Sequence, residues 1–542
     1  VPIAGVSGKP MSLPRRTLLQ SGVALAAGLA LPAPARAAPR VYRRGNDADP
    51  ETLDPHKTST VAEAHILRDL FEGLLTYDNR GTIIPGMAER WTVSDDRLTY
   101  RFILRPDGRW SNGDAVTADD FLFSLRRILD PKTAAKYAEV LFPIRGAAAV
   151  NAGERPPETL GVTAPDPRTL EIGLAEPVPY LLELLTHQTS LPVHRPSLER
   201  WGDAFARPGN LVSNGPYALV DWVPNDRITL TKNPHYRDAA AIPIERIDVI
   251  PTPDLAAAVR RYAAGEIDSL SDLPADQIAS LKQRFGTQVQ LGPGLGLLAI
   301  AFNLRKKPFD DARVRRALSL AIDREFLAEI VWGQTMAPAY SFCPPGLDNA
   351  LPPPLLPGRE DGPIDREEEA LRLLAGAGYG PGNPLTVEYR FNVTDNNRNT
   401  AIALADAWRG IGVVTRFVST DAKTHFAYLR DGGRFDLARM SWVADYSDPQ
   451  NFLFLLRTGN DGFNAGRWSN ARFDGLLTQA AGERDVQARA RMLFDAETIV
   501  LDELPWVPLL HYRSKALVSP RLHGMHPNIR NVAPTRYLRL DP

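Results

Sequence analysis

From Phe435 to Met440 the chain alternates. Phe435, Leu437 and Arg439 fall on one side and Asp436, Ala438 and Met440 on the other, the period of two that a strand imposes. The run continues through Ser441-Trp442-Val443-Ala444-Asp445 into the turn sequence Tyr446-Ser447-Asp448-Pro449. A strand ending in an aromatic, a carboxylate and a turn has two readings. It is an edge strand with a capping aspartate, or it is a strand edge that holds a cationic, extended ligand.

The remaining pattern mixes helices and strands. Ala62–Leu75 places Ile66, Leu67, Leu70, Phe71 and Leu74 at helical spacing. Leu98–Leu104 alternates as a strand and turns at Pro106-Asp107-Gly108. Thr117 and Asp120 form a capping-box pair ahead of a helix over Ala118–Leu129, which Pro131 stops. Tyr217–Val223 and Ile228–Leu230 read as a hairpin joined by Pro224-Asn225-Asp226. Ala256–Ala264 is a short helix ended by Gly265. Asp310-Asp311 caps a helix with Val314, Leu318 and Ile322 on its core face, and residues 344–363 carry seven prolines, an extended surface segment. A second α/β region runs to about residue 500, and Trp506–Leu522 returns to strand-like residues.

Composition narrows the class. A chain of 542 residues exceeds one ordinary core, so two or three domains are expected. Residues 1–37 read as an export signal of twin-arginine type, with Arg15-Arg16, the apolar run Val23–Leu31 and the small-residue cleavage pattern Ala35-Arg36-Ala37. Residues 1–10, ahead of Met11, stand outside the fold argument. Removing 1–37 removes Lys9, Arg15, Arg16 and Arg36, so 63 basic residues become 59 against 64 acidic ones, net −5. No basic excess seeks nucleic acid or anionic lipid. The single cysteine, Cys343, allows no internal disulfide and supplies no lipid-attachment cysteine at the cleavage point. A monomeric, soluble periplasmic protein without a lipid anchor is the expectation.

Catalytic and metal signatures are missing. There is no His-Glu-x-x-His, no Gly-x-Ser-x-Gly and no serine three residues ahead of a lysine. His523 and His526 sit close together without carboxylate or thiol spacing around them. Gly292-Pro293-Gly294-Leu295-Gly296 departs from the dinucleotide fingerprint and reads as a crossover between domains. The expectation is therefore a protein that is not an enzyme and carries no cofactor or metal.

A series of ordered stretches resembles the periplasmic oligopeptide-binding proteins of ABC importers, the family-5 solute-binding proteins. They include Thr52-Leu53-Asp54-Pro55-His56-Lys57, Arg68-Asp69-Leu70-Phe71-Glu72-Gly73-Leu74 and Pro85-Gly86-Met87-Ala88-Glu89-Arg90-Trp91. The block Leu104–Phe121, with Trp110-Ser111-Asn112-Gly113, is the most diagnostic. Asn214-Gly215-Pro216-Tyr217, Val314-Arg315-Arg316-Ala317-Leu318 and Trp442-Val443-Ala444-Asp445-Tyr446 extend it over essentially the whole mature chain. The resemblance implies an α/β fold, a type II periplasmic-binding-protein clamshell with two lobes, an additional domain, and mixed sheets flanked by helices. It implies lobe I from 38–72, 197–297 and 513–542, the additional domain from 73–196, and lobe III from 298–512. The lobes would close on a short peptide and deliver it to the transmembrane subunits of an ABC permease.

The same resemblance implies site residues. Asp445 would meet the peptide's α-ammonium, and Arg439, six residues earlier, a ligand carboxylate. Read alone, Arg439 has a second reading, a structural ion pair with Asp436 or another acid. Trp442 would lie against the ligand backbone or serve plain packing, with Val443 beside it. Tyr137 and Val61 match a ligand-contacting tyrosine and a backbone-pairing residue. Where the family's best-known members carry an acid and a histidine, this chain has Ser59 and Asn397; Leu351 stands near a lysine position, and Leu297–Phe302 near a tyrosine-rich run. The amino-end anchor is kept and the carboxyl-end anchors differ. A non-peptide ligand such as a nickel chelate, an opine-like compound or a cell-wall peptide is the alternative on the same fold, and a periplasmic hydrolase is a third reading.

Overall fold

A computed structural model describes residues 40–541; the expected export segment 1–37 lies outside the described residues. The main sheet has 11 strands. In spatial order it runs Val414–Thr420, Thr386–Asn392, Leu437–Val443, Val289–Phe302, Trp506–Val518, Ser269–Leu270, Val41–Asn46, Arg246–Pro251, Arg227–Lys232, Tyr217–Val223, with Met336–Pro338 also pairing the Trp506–Val518 strand. Helices Asp395–Gly410 and Ala422–Arg430 connect the strands at one end of the sheet. A separate four-stranded antiparallel sheet takes Ala88–Val93, Thr99–Leu104, Thr169–Gly173 and Val162–Asp166. The Ala118–Leu129 helix packs its apolar stripe of Phe121, Leu125 and Ile128 into the core this sheet shares.

Two large apolar cores form. One gathers Tyr42 through Val249 with Val518–Leu540; the other gathers Leu297 through Leu510. The strands Val289–Phe302 and Trp506–Val518 pass from one to the other as an antiparallel pair. Their register is regular up to Pro293↔Arg513 and resumes at Leu297↔His511, so four steps on one strand meet two on the other. Pairing is interrupted where the cores part, and an interrupted ladder bends and twists more freely than a continuous one. The glycine run belongs here. A Cβ on Gly296 would lie 2.5 Å from the Tyr512 ring and one on Gly294 would lie 2.9 Å from the Tyr512 carbonyl, so close strand approach explains the glycines. Beyond the break, Leu297–Ile300 are at most 1% exposed because paired strands flank them on both edges and core covers both faces.

Local signals held with one correction. The Thr117–Asp120 capping box, the Ala118–Leu129 helix and the Tyr217–Val223/Arg227–Lys232 hairpin form as the spacing predicts. The first helix spans Val61–Leu70 instead of reaching Leu75. Asn214 ends it. Its amide brackets Glu72, accepting the Glu72 N–H at 3.0 Å and donating to the Glu72 carbonyl at 2.8 Å. Phe71, Leu74 and Leu75 still reach the core, on a path that turns at Gly73. There a Cβ on Gly86 would stand 2.6 Å from the Gly73 carbonyl.

Candidate functional site

The Leu437–Val443 strand ends two residues before Asp445, whose position is set by the turn behind it. Asp448 makes a two-pronged pair with Arg489, 2.8 Å on each side, and both side chains are at most 3% exposed. Burying both charges is tolerable because the fork satisfies both oxygens. Asp448 also accepts the Gln450 N–H at 3.0 Å, and Trp442 Nε1 donates to Asn451 at 2.8 Å. Trp442 packs edge-on against Phe454 and Phe463, so its ring helps brace the strand end. Val443 keeps 59% of its surface exposed.

Asp445 is exposed at its rim, and its carboxylate accepts a hydrogen bond from the Tyr137 hydroxyl, 308 residues away in sequence. Tyr137 lies in the stretch that builds the first core, so the bond spans the two bodies. Surrounding protein holds the Asp445 carboxyl above the usual carboxylate range; the Tyr137 bond opposes that rise, and Glu139 adds to it. The Tyr137 ring packs against His187 at 5.4 Å, and burial pushes that imidazole down to about 4, so it is neutral. The site therefore presents one carboxylate, a phenol and a neutral histidine ring.

The other expected residues divide. Val61, 59% exposed, opens the first helix, and the backbone N–H of the exposed Ser59 donates to Glu63 at 3.0 Å. Asn397 turns inward: it is 4% exposed and its amide donates to the Asn392 carbonyl at 2.9 Å. Arg439 is 8% exposed and pairs with no carboxylate among the described residues; Asp436 pairs with Lys306 instead. Sequence reasoning missed Arg390, equally buried at 8%. Strand alternation put it on the polar face, and only the helix laid across that face buries it, with its guanidinium 4.0 Å from the Tyr428 ring centre. The Nε atoms of Arg390 and Arg439 and Nδ1 of His425 all lack a partner. Burial draws His425 down to about 4, its Nε2 bond to the Arg439 carbonyl opposes that, and both arginine charges add to the fall. A cationic end thus lies on the same body as the Asp445 end.

A second set of contacts ties the two bodies. Arg530 meets Glu183 at 2.6 Å and also pairs with Asp348, while the Ser447 N–H donates to Glu183 at 3.2 Å. Tyr180 and Tyr446 stack with centroids 4.0 Å apart. None of these was legible in the sequence, because each partner comes from a distant segment.

Ser197, His194 and Asp114 lie in a line, with 2.7 Å from Ser197 Oγ to His194 Nδ1 and 3.2 Å from His194 Nε2 to Asp114. Their role is capping. The same Nδ1 accepts the Ser197 N–H at the start of the Arg195–Trp201 helix, and Ser197 is only 7% exposed.

Residues 82–464 match the family described as bacterial extracellular solute-binding proteins, family 5 middle. The chain is 38% identical over 526 residues to the periplasmic oligopeptide-binding protein OppA of Escherichia coli, covering 95% of this chain and 96% of that one. It is 36% identical over 479 residues to the periplasmic murein peptide-binding protein MppA of the same organism, covering 88% of each. Among solved structures, the unliganded open form of MppA superposes with a TM-score of 0.86 at 35% identity, covering 93% of this chain and 98% of that one. Haemophilus influenzae OppA in complex with the peptide RPPGFSPFR gives 0.72 at 33% identity, covering 93% and 99%. At nearly equal identity the unliganded open form superposes better than the peptide complex. With its two-lobed α/β architecture, the chain belongs to the family-5 bacterial extracellular solute-binding proteins.

Proposed function

We propose that this protein captures short peptides in the periplasm and hands them to the membrane permease of an ABC importer, without a catalytic step. The observation that carries this reading is the Asp445–Tyr137 bond between the two bodies. A carboxylate at the end of a strand edge, in a gap that closes, matches the α-ammonium of an extended chain. A charge-assisted bond of that kind contributes about 1.5–3 kcal/mol. The peptide backbone would lie along Val443 and Val61, adding a strand to the edge in a way indifferent to sequence. Arg439 would receive a carboxylate at the far end, which agrees with its burial without an acid. Asn397, bonded to its own loop, leaves that task to the arginines.

The test is direct. Mature protein purified natively is denatured, and the released small molecules are identified by mass spectrometry; the stripped protein is then titrated calorimetrically with tri- to pentapeptides. Peptides should be released and should bind again with free amino ends required. No released peptide, together with no heat for any peptide length, would overturn the reading.

A further inference from the structure

Lobe I holds a cavity that the peptide reading does not use. It has a volume of about 60 Å³ and lies between the Val61–Leu70 helix, the strands Val289–Phe302 and Trp506–Val518, and the segment 525–534. That space accepts a few waters or one tetrahedral oxyanion. Its wall carries three cations, Arg44, Arg68 and Lys515, against a single carboxylate, Asp69. Arg44 is committed to Asp69 at 2.7 Å, and Lys515 to Asp272 at 2.7 Å outside the lining. Arg68 makes no direct ion pair or hydrogen bond with the described residues; burial pulls its guanidinium below the ordinary value, and Tyr77 and Asp69 oppose that fall.

Two histidines, His65 and His526, also line the wall. Burial pushes His65 down to about 3, and it is neutral. The same wall carries groups whose side chains make no hydrogen bond to the described protein: the Ser514 hydroxyl and the amides of Gln290 and Asn531. A half-buried guanidinium with no bonded acceptor, sharing a cavity wall with uncommitted side-chain donors, is a ready partner for an anion.

We infer that this cavity is a binding site for a small oxyanion, a carboxylate or phosphate-type group held by Arg68 with Ser514 and Gln290. Two sources supply that chemistry: a free inorganic anion, or an acidic side chain of the bound ligand. His65 and Arg68 follow Val61 on one helix face, four and seven residues on, so a ligand lying over Val61 has a short route to the cavity.

The experiment titrates the full purified protein with inorganic phosphate and with sulfate at constant ionic strength set by chloride. It then titrates two tripeptides that differ only in Glu against Gln, with and without saturating phosphate. Phosphate or sulfate should bind at one site, and Arg68→Gln should weaken it about tenfold or more, the loss of one charge-assisted contact. If phosphate weakens only the Glu tripeptide, the cavity receives the ligand's own carboxylate. If both anion and peptides bind independently, it holds a free anion. Either result supports the site. Should Arg68→Gln fail to fold by circular dichroism, Ser514→Ala gives the same readout with a smaller loss. Equal affinity of wild type and variant for phosphate and sulfate, with no preference between the two tripeptides, overturns the proposal. The phosphate arm needs no peptide, so it separates this inference from the peptide reading.

Discussion

Replacing Asp445 by Asn removes the charge, keeps the shape and leaves Tyr137 an acceptor for its hydroxyl. The bond to a ligand ammonium falls from charge-assisted to neutral, a loss drawn from the range of about 1.5–3 kcal/mol. Asp445 keeps an open rim to water, which screens its charge, so the lower end applies and the dissociation constant should rise about tenfold. The proton supplies a second signature. The empty protein holds the Asp445 carboxyl above the usual range, so acidification protonates it early and abolishes the ion pair. Wild-type affinity for a tripeptide should therefore fall as pH drops through that raised value, whereas Asp445→Asn should stay flat. Calorimetry at several pH values, with the N-acetylated tripeptide alongside, reads both effects. The acetylated peptide should bind weakly and equally to both proteins. A loss under threefold, or an acetylated ligand that binds wild type as well as the free amine, would remove the ammonium anchor from the argument.

Three more outcomes follow from buried charge. Arg439→Gln should weaken binding of a free-acid tripeptide by about tenfold or more but leave its amide unchanged, while raising the melting temperature of the empty protein by relieving an unpaired buried cation; equal losses for acid and amide would count against the carboxylate role. Asp448→Asn should cost about 3–5 kcal/mol in urea unfolding, since it strands the Arg489 guanidinium; a cost below about 1 kcal/mol would mean the pair is not a brace. Burial raises Glu497 from 4.5 to about 7, against the opposing N–H bonds of Cys343 and Phe342. A raised folded pKa favours the folded state below the unfolded value, and that advantage is lost as pH climbs through the folded one. Stability should thus decline between about pH 4.5 and 7 by an amount on the order of 3 kcal/mol, and Glu497→Gln should flatten the decline. Parallel pH profiles for the two proteins would show that Glu497 is not the titrating group.

Local grammar was readable and long-range geometry was not. Thr117, Asp120 and Pro131 specify a helix from its own ends, and Pro224-Asn225-Asp226 specifies a hairpin, because the interactions lie within a few residues. The first helix was overextended because Phe71 and Leu74 keep helical spacing while an amide from residue 214 intercepts the backbone at Glu72. Asp445 was singled out by the resemblance of Trp442–Tyr446 to the family, since its place after a strand and before a turn left two readings open. Its bond to Tyr137 depends on how two bodies face each other, which no spacing encodes. Arg390 was missed since a strand's polar face gives no sign that a helix will cover it. Asn397 sits where a ligand contact was expected, yet a short amide bends back onto its own loop where a longer ring would project.

The paired strands that cross between the two cores also set what a membrane partner can sense. With two neighbouring strands as the joint, rotation about that line is the soft coordinate, and sliding or splaying would tear paired backbone. Occupancy is then encoded in one number, the distance between the outer rims of the two halves. A permease that touches both rims at once distinguishes a filled carrier from an empty one by that span, whatever cargo lies inside.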